Sequence, residues 1–156
     1  MATTVVIAAP ASGHPGDAFK EEFKKIGISE LTFGGCAIVF EIISLAIWIS
    51  TYLLYTSAPG IYCGIWFCVC GGLAIGSYKQ ANQCNVVGGM VLAILSLFGC
   101  LGMIYYESFM IYFVTALTRG FHYLVIMHIL LDICAIGMFV SACIHISICA
   151  KASRGG

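Results

Sequence analysis

Charged side chains are scarce in this sequence. Lys, Arg, Asp and Glu make up 9% of the 156 residues, whereas a soluble domain carries about 25%. So few charges cannot cover the water-facing surface of a globule of this size, which excludes a soluble fold. Seven basic and seven acidic residues give a net charge of zero. The chain therefore also lacks the basic field that attracts nucleic acid.

Apolar residues are abundant instead. They make up 61% of the chain, against about 45–50% in soluble proteins. A membrane-spanning helix needs about 20 mostly apolar residues, so this length accommodates four spans and no second domain. We predict an all-α integral membrane four-helix bundle, with spans at about 28–52, 60–78, 86–106 and 123–149 within a four-span domain of residues 28–151.

The segments outside the spans define the expected topology. Residues 1–16 are predicted to be a mobile tail, 17–27 an interfacial amphipathic helix, and 152–156 a second tail. The aromatic connection 107–122 is expected to lie along the membrane interface. Cytoplasmic connections carry an excess of Lys and Arg. Arg119 is the one basic residue predicted on the side away from the termini, and six lie on the same side as the termini: Lys20, Lys24, Lys25, Lys79, Lys151 and Arg154. We therefore expect both termini in the cytosol.

Small residues recur every four positions in the second span. They predict a ridge for close helix contact, either within the chain or at a dimer seam, and the third span offers a facing surface. The predicted packing and oligomer residues are Gly60, Gly64, Cys68, Gly72, Gly76, Gly88, Gly89 and Ser96.

Four ionisable residues fall within the predicted spans: Glu41, His128, Asp132 and His145. A charge near the bilayer centre is costly, so these groups should face the bundle, form pairs or be neutral. Glu41 lies on a stripe of small and polar residues and should point inward. Because His128 and Asp132 are four residues apart on one helix, they can contact each other. We interpret the set as interhelical hydrogen bonds that fix the bundle, with a proton or cation path as the alternative.

The sequence has no feature that indicates enzymatic activity. The nine cysteines mostly fall in apolar stretches and are expected to act as small hydrophobic residues. Cys84 and Cys149 lie near the predicted cytosolic ends of spans, which makes them candidates for palmitoylation. The sequence contains no hydrolase elbow, phosphate loop or zinc-protease motif. We therefore predict a protein that is not an enzyme and has no cofactor and no metal site.

Several motifs between residues 25 and 105 are similar to those of a known family. They include Gly71-Gly72-Leu73 in the second span, a tight turn with Lys79 and Cys84, and Gly88 four residues after that cysteine. The segment Ile26 to Gly34 also matches, with Glu30 where a Gln is usual. In these features the chain resembles the membrane-spanning four-domain family, subfamily A, which includes a B-lymphocyte surface antigen.

The resemblance implies a tetraspan protein that associates with itself or with other membrane proteins and modulates signalling, trafficking or ion flux. Its expected partners are the lipid bilayer, a second copy of the chain and other integral membrane proteins, with a sterol or phospholipid as a further ligand. The resemblance also favours the plasma membrane, with vesicle membranes as the alternative. A different function remains open from the residues: a proton- or cation-conducting subunit that uses Glu41 and Asp132.

Overall fold

The computed structural model describes residues 18–52, 58–80, 83–117 and 122–154. These ranges form four α-helices: α1 Lys20–Tyr52, α2 Pro59–Lys79, α3 Gln83–Leu117 and α4 His122–Arg154. Each helix is long and apolar enough to cross a membrane. The expectation of an all-helical protein with four helices of spanning length is confirmed. The predicted tail 1–16 and Arg119 lie outside the described residues.

All four helices are longer than the spans predicted from sequence, and the difference is largest for α1 and α3. α1 runs without a break from Lys20, so the interfacial helix expected at 17–27 is not separate from the first span. Phe23 is buried with Val86, Ile148, Cys149 and Ala152, and this packing inside the bundle explains the continuity.

α3 likewise continues through most of the connection that was expected to lie along the interface. It is 35 residues long and therefore about 50 Å in length. In this extension Met110 and Val114 pack against Trp48 and Leu124, so the segment belongs to the bundle. α3 therefore ends at Leu117, beyond the predicted end of the third span near residue 106.

The helices form an antiparallel ring in which each packs against the next and α4 returns to α1. Gly27 near the start of α1 lies against Gly71 near the end of α2. Glu30 near the same end of α1 meets His145 near the end of α4. The start of α1 and the ends of α2 and α4 therefore lie at one end of the bundle.

The buried face of each helix follows alternating spacings of three and four residues. On α4 the buried positions are Leu124, His128, Leu131, Ala135, Met138, Ala142, His145 and Cys149. This 3.5-residue average keeps one stripe facing the bundle axis along the whole helix, as in coiled-coil packing. Side chains placed on these stripes face the interior.

α1 and α2 approach closely enough for their backbones to touch. A Cβ atom added to Gly64 would lie 2.6 Å from the carbonyl oxygen of Gly34, and one added to Gly34 would lie 2.8 Å from that of Gly64. The same reciprocal relation holds for Gly27 and Gly71, at 2.8 Å in each direction. Such contacts exclude any side chain larger than hydrogen, so this helix pair depends on glycine at two levels.

Candidate functional site

The interior of the bundle holds three glutamates and two histidines. Glu30 and Glu107 are fully buried, and Glu41, His128 and His145 are each exposed by 3% or less. A buried ionisable group is costly unless it is paired or neutral. These five side chains therefore form the candidate functional site.

One pair joins α3 to α4. His128 Nδ1 lies 2.6 Å from Glu107 Oε2, and Trp48 Nε1 of α1 donates a hydrogen bond to His128 Nε2 over 3.5 Å. The indole N–H only donates, so this contact fits the tautomer in which Nε2 accepts and Nδ1–H points to Glu107 Oε2. Three helices meet at this imidazole.

A second pair joins α1 to α4 near the opposite end of the bundle. His145 Nδ1 lies 2.8 Å from Glu30 Oε1, in a hydrogen bond whose proton can reside on either atom. Phe23 meets the imidazole edge-on, with ring centroids 6.3 Å apart. On α3, a Cβ added to Gly89 would lie 3.1 Å from His145 Nε2. The glycine therefore leaves space for this imidazole.

Glu41 lies between the two pairs along α1. It shares a buried stripe with Gly34, Ala37, Ser44 and Trp48, as the sequence pattern predicts. A Cβ added to Gly60 would lie 3.0 Å from Glu41 Oε2 and 3.1 Å from Leu131 Cδ2. Gly60 thus makes room for the carboxyl group where α1, α2 and α4 meet.

Several buried polar atoms have no hydrogen-bond partner within the described part of the chain. They are Glu30 Oε2, Glu41 Oε2, Glu107 Oε1, Asp132 Oδ1 and His145 Nε2. Glu30 and Glu41 are eleven residues apart, or about 16 Å along the helix. Glu30 therefore lies at a different level of the interior from Glu41.

The predicted contact between His128 and Asp132 is not made. His128 lies on the buried stripe of α4 and turns its Nδ1 to Glu107, whereas Asp132 is one position off that stripe and only partly buried. Four residues turn through about 400°, so Asp132 points about 40° away from His128, to one side of the buried stripe, and Glu107 is the residue that His128 Nδ1 meets instead. His145 belongs to the other pair, with Glu30.

Glu30 and Glu107 are the site residues that the sequence interpretation missed. In the sequence, Glu30 belongs to the segment leading into the predicted first span, and Glu107 falls in the predicted interfacial connection. Both continue the spacing of the buried stripes, since Glu30 precedes Gly34 by four residues and Glu107 follows Met103 by four. Extending the stripes beyond the predicted span ends would have found them.

The small residues of the predicted ridge face in different directions. Four residues on an ideal helix turn through about 400°, so a four-residue repeat drifts about 40° at each step. Gly60, Gly64 and Cys68 accordingly lie beside α1, and Gly76 lies near Asn85 of α3. By contrast, nothing lies within 4 Å of a Cβ added to Gly72. The ridge is not one continuous face.

The small residues of α3 also divide between the interior and the outside. Ser96 Oγ is 3.2 Å from Cys70 Sγ of α2, and Gly89 faces His145. Gly88 has no heavy atom within 4 Å of an added Cβ. Gly72 and Gly88 are therefore the two predicted ridge residues with open space in front of them.

All nine cysteines lie in described residues and are free thiols. Cys84 is exposed, in keeping with its proposed availability for palmitoylation. Cys149 is fully buried beside Phe23 and Ile148, so its thiol cannot accept an acyl chain in this fold. Within the described ranges, no group of three or more His, Cys, Asp or Glu side chains could hold a metal ion.

The described part of the chain is an all-helical bundle of four helices that are long and apolar enough to span a membrane. Two hydrogen bonds between glutamate and histidine side chains connect helices across its interior. Comparisons with protein-family models, curated proteins and solved structures give no match to this chain.

Proposed function

We propose that the chain is a non-enzymatic tetraspan membrane protein that self-associates or binds other integral membrane proteins as a structural subunit. In this role it would modulate signalling, trafficking or ion flux, as its resemblance to the membrane-spanning four-domain family, subfamily A, implies. The proposal includes cytosolic termini and a plasma-membrane location, with vesicle membranes as the alternative. Lys24, Lys25, Lys79 and Lys151 all lie at one end of the bundle, which supports this orientation.

The observation that carries the proposal is the outward placement of Gly72 and Gly88. Gly72 on α2 and Gly88 on α3 each have no heavy atom within 4 Å of an added Cβ, so each gives its helix a patch without a side chain on the outside of the bundle. Both expose backbone where large apolar side chains dominate the rest of the surface. In a membrane, such small-residue surfaces let a second helix approach closely.

The buried polar pairs support the same role. Glu30 with His145 connects α1 to α4, and Glu107 with His128 connects α3 to α4. Interhelical hydrogen bonds of this kind stabilise a bundle in lipid, where apolar burial between helices contributes little. The pairs therefore account for four of the five buried ionisable residues without a reaction, and Glu41 is the exception.

The test is the mass of the particle in nanodiscs, measured without crosslinking. The wild-type chain should form an oligomer or carry a co-purifying membrane protein, and Gly72→Leu should reduce that association. Gly102→Leu is the matched control, because Gly102 on α3 also has open space before it but lies near the level of Cys63, towards the other end of α2 from Gly72. If Gly72→Leu leaves both folding and association unchanged, the proposed surface is wrong.

A proton- or cation-conducting subunit is the second candidate function. It is favoured by the unpartnered oxygens of Glu30, Glu41 and Glu107, which all lie in the interior. Buried carboxylates in membrane helices commonly mark ion pathways. Asp132, the other residue expected to take part, has an unpartnered Oδ1 but lies off the buried stripe.

Proteoliposomes separate the two functions. Glu41→Gln retains hydrogen-bonding atoms but cannot titrate, so a conducting subunit should lose proton or cation flux. Glu22→Gln at the exposed end of α1 is the control and should retain it. The absence of flux through the wild-type protein would eliminate conduction by the chain alone and leave the structural role.

A further inference from the structure

A groove between the first turns of α1 and the last turns of α4 lies outside the polar interior. Its volume is about 600 Å³. Ile26, Ile144 and Ile148 line it, and Ile144 is 48% exposed on the outer surface. One wall of the groove is therefore apolar and open towards the region that lipid chains would occupy.

Two lysines lie at the same groove. Lys25 on α1 and Lys151 on α4 are both exposed and both line it, with Ser29 and Ser147 also present. Neither lysine forms an ion pair with another described residue. Glu22 is the acidic residue on this lining, so the lysines outnumber it by two to one.

We propose that this groove binds one anionic phospholipid, with its headgroup phosphate at Lys25 and Lys151 and an acyl chain against Ile144 and Ile148. Lysine side chains at a membrane boundary place the ammonium group among headgroups while their stems stay in apolar surroundings. Basic pockets between helices recognise anionic headgroups by this combination. The inference rests on the proposed insertion of the four helices in a membrane.

Charge complementarity distinguishes this occupant from a neutral lipid. Each lysine near the headgroup level favours an anionic lipid by about fivefold, so the two together favour it by about 25-fold. The partner is a whole lipid rather than a free phosphate ester, because the isoleucine wall continues away from the lysines towards the bundle middle.

Native mass spectrometry of the full chain tests the proposal. Micelles would contain equal amounts of phosphatidylserine and phosphatidylcholine with identical acyl chains, and the ratio of the retained lipids would be measured. The wild-type protein should retain phosphatidylserine preferentially, and the variant Lys25→Gln with Lys151→Gln should lose that preference by about 25-fold.

The matched control removes two lysines from the same end of the bundle but away from the groove. Lys24 lies over the Tyr78 ring at 5.2 Å, and Lys79 ends α2. Lys24→Gln with Lys79→Gln should keep most of the preference. Equal losses in the two double variants would show only diffuse surface attraction, and no preference in the wild-type protein would refute lipid selection.

Three further measurements distinguish lipid selection from unfolding, failed insertion and binding of soluble phosphate esters. A thermal melt of each variant verifies that the bundle is folded, and recovery in nanodiscs verifies insertion independently of lipid choice. Glycerophosphoserine, which lacks acyl chains, should not displace the retained phosphatidylserine at equal concentration. Displacement would assign the groove to soluble phosphate esters and overturn the lipid proposal.

Discussion

The backbone contact between α1 and α2 makes Gly64→Ala a sensitive test of the bundle. The new Cβ would lie 2.6 Å from both the Gly34 carbonyl oxygen and the Ile38 Cγ1 atom. Carbon atoms are at their optimal separation near about 3.5 Å, so the helices must move apart locally by roughly 0.9 Å. Inserting a methyl group into such a packed contact costs about 1–3 kcal/mol.

Gly72→Ala supplies the matched comparison on the same helix. Nothing lies within 4 Å of its added Cβ. Alanine favours helix over glycine by about 1 kcal/mol at both positions, so this contribution cancels in the difference between the variants. We therefore expect Gly64→Ala to be less stable than Gly72→Ala by about 1–3 kcal/mol, or roughly 2–12 °C in Tm.

The buried thiols provide the assay. Cys70, Cys100 and Cys149 are inaccessible in the folded chain, so a thiol-reactive fluorogenic dye reports their exposure during heating in detergent. Gly34→Ala combined with Gly64→Ala should cost less than the sum of the two single changes, because one helix separation relieves both clashes. Equal melting temperatures for Gly64→Ala and Gly72→Ala would refute the close approach of α1 and α2.

Three further predictions concern the interior and the thiols. Gly89→Ala places a Cβ 3.1 Å from His145 Nε2 and should be less stable than Gly72→Ala by about 1 kcal/mol in the same melt; equal stability of these two variants would contradict the contact. Glu107→Leu leaves His128 Nδ1–H without its acceptor and should cost about 1–3 kcal/mol, whereas Glu107→Gln, which keeps an acceptor oxygen, should cost less; equal melts would argue against the pair. Cys84 should react with maleimide in the folded protein and Cys70 only after unfolding, as measured by peptide mass spectrometry; early labelling of Cys70 would contradict its burial.

The number of helices could be predicted from composition because an apolar segment of this length has few alternatives to a membrane helix. The helix ends could not, since they depend on tertiary packing. Phe23 and Met110 lie beyond the predicted first and third spans, and each extends its helix by packing with residues from other helices.

The candidate site was predictable in part. The stripe containing Gly34, Ala37 and Ser44 correctly placed Glu41 in the interior. The partner of His128 could not be predicted, because it depends on the register of α3 against α4. The spacing of residues along α4 alone does not determine that register. The four-residue glycine repeat likewise predicted the packing only in part. Because the repeat drifts around the helix, Gly72 no longer lies on the face that buries Gly64.

The two glutamate–histidine pairs also specify the register of α4. Small and apolar residues recur along its buried stripe, so a slip by seven residues would keep that stripe facing inward. The same slip moves α4 by about 10 Å and separates His128 from Glu107 and His145 from Glu30. Four buried polar groups would then lose their partners at once, at a cost of about 1–3 kcal/mol each. Apolar packing alone tolerates several registers, and the polar pairs favour one of them.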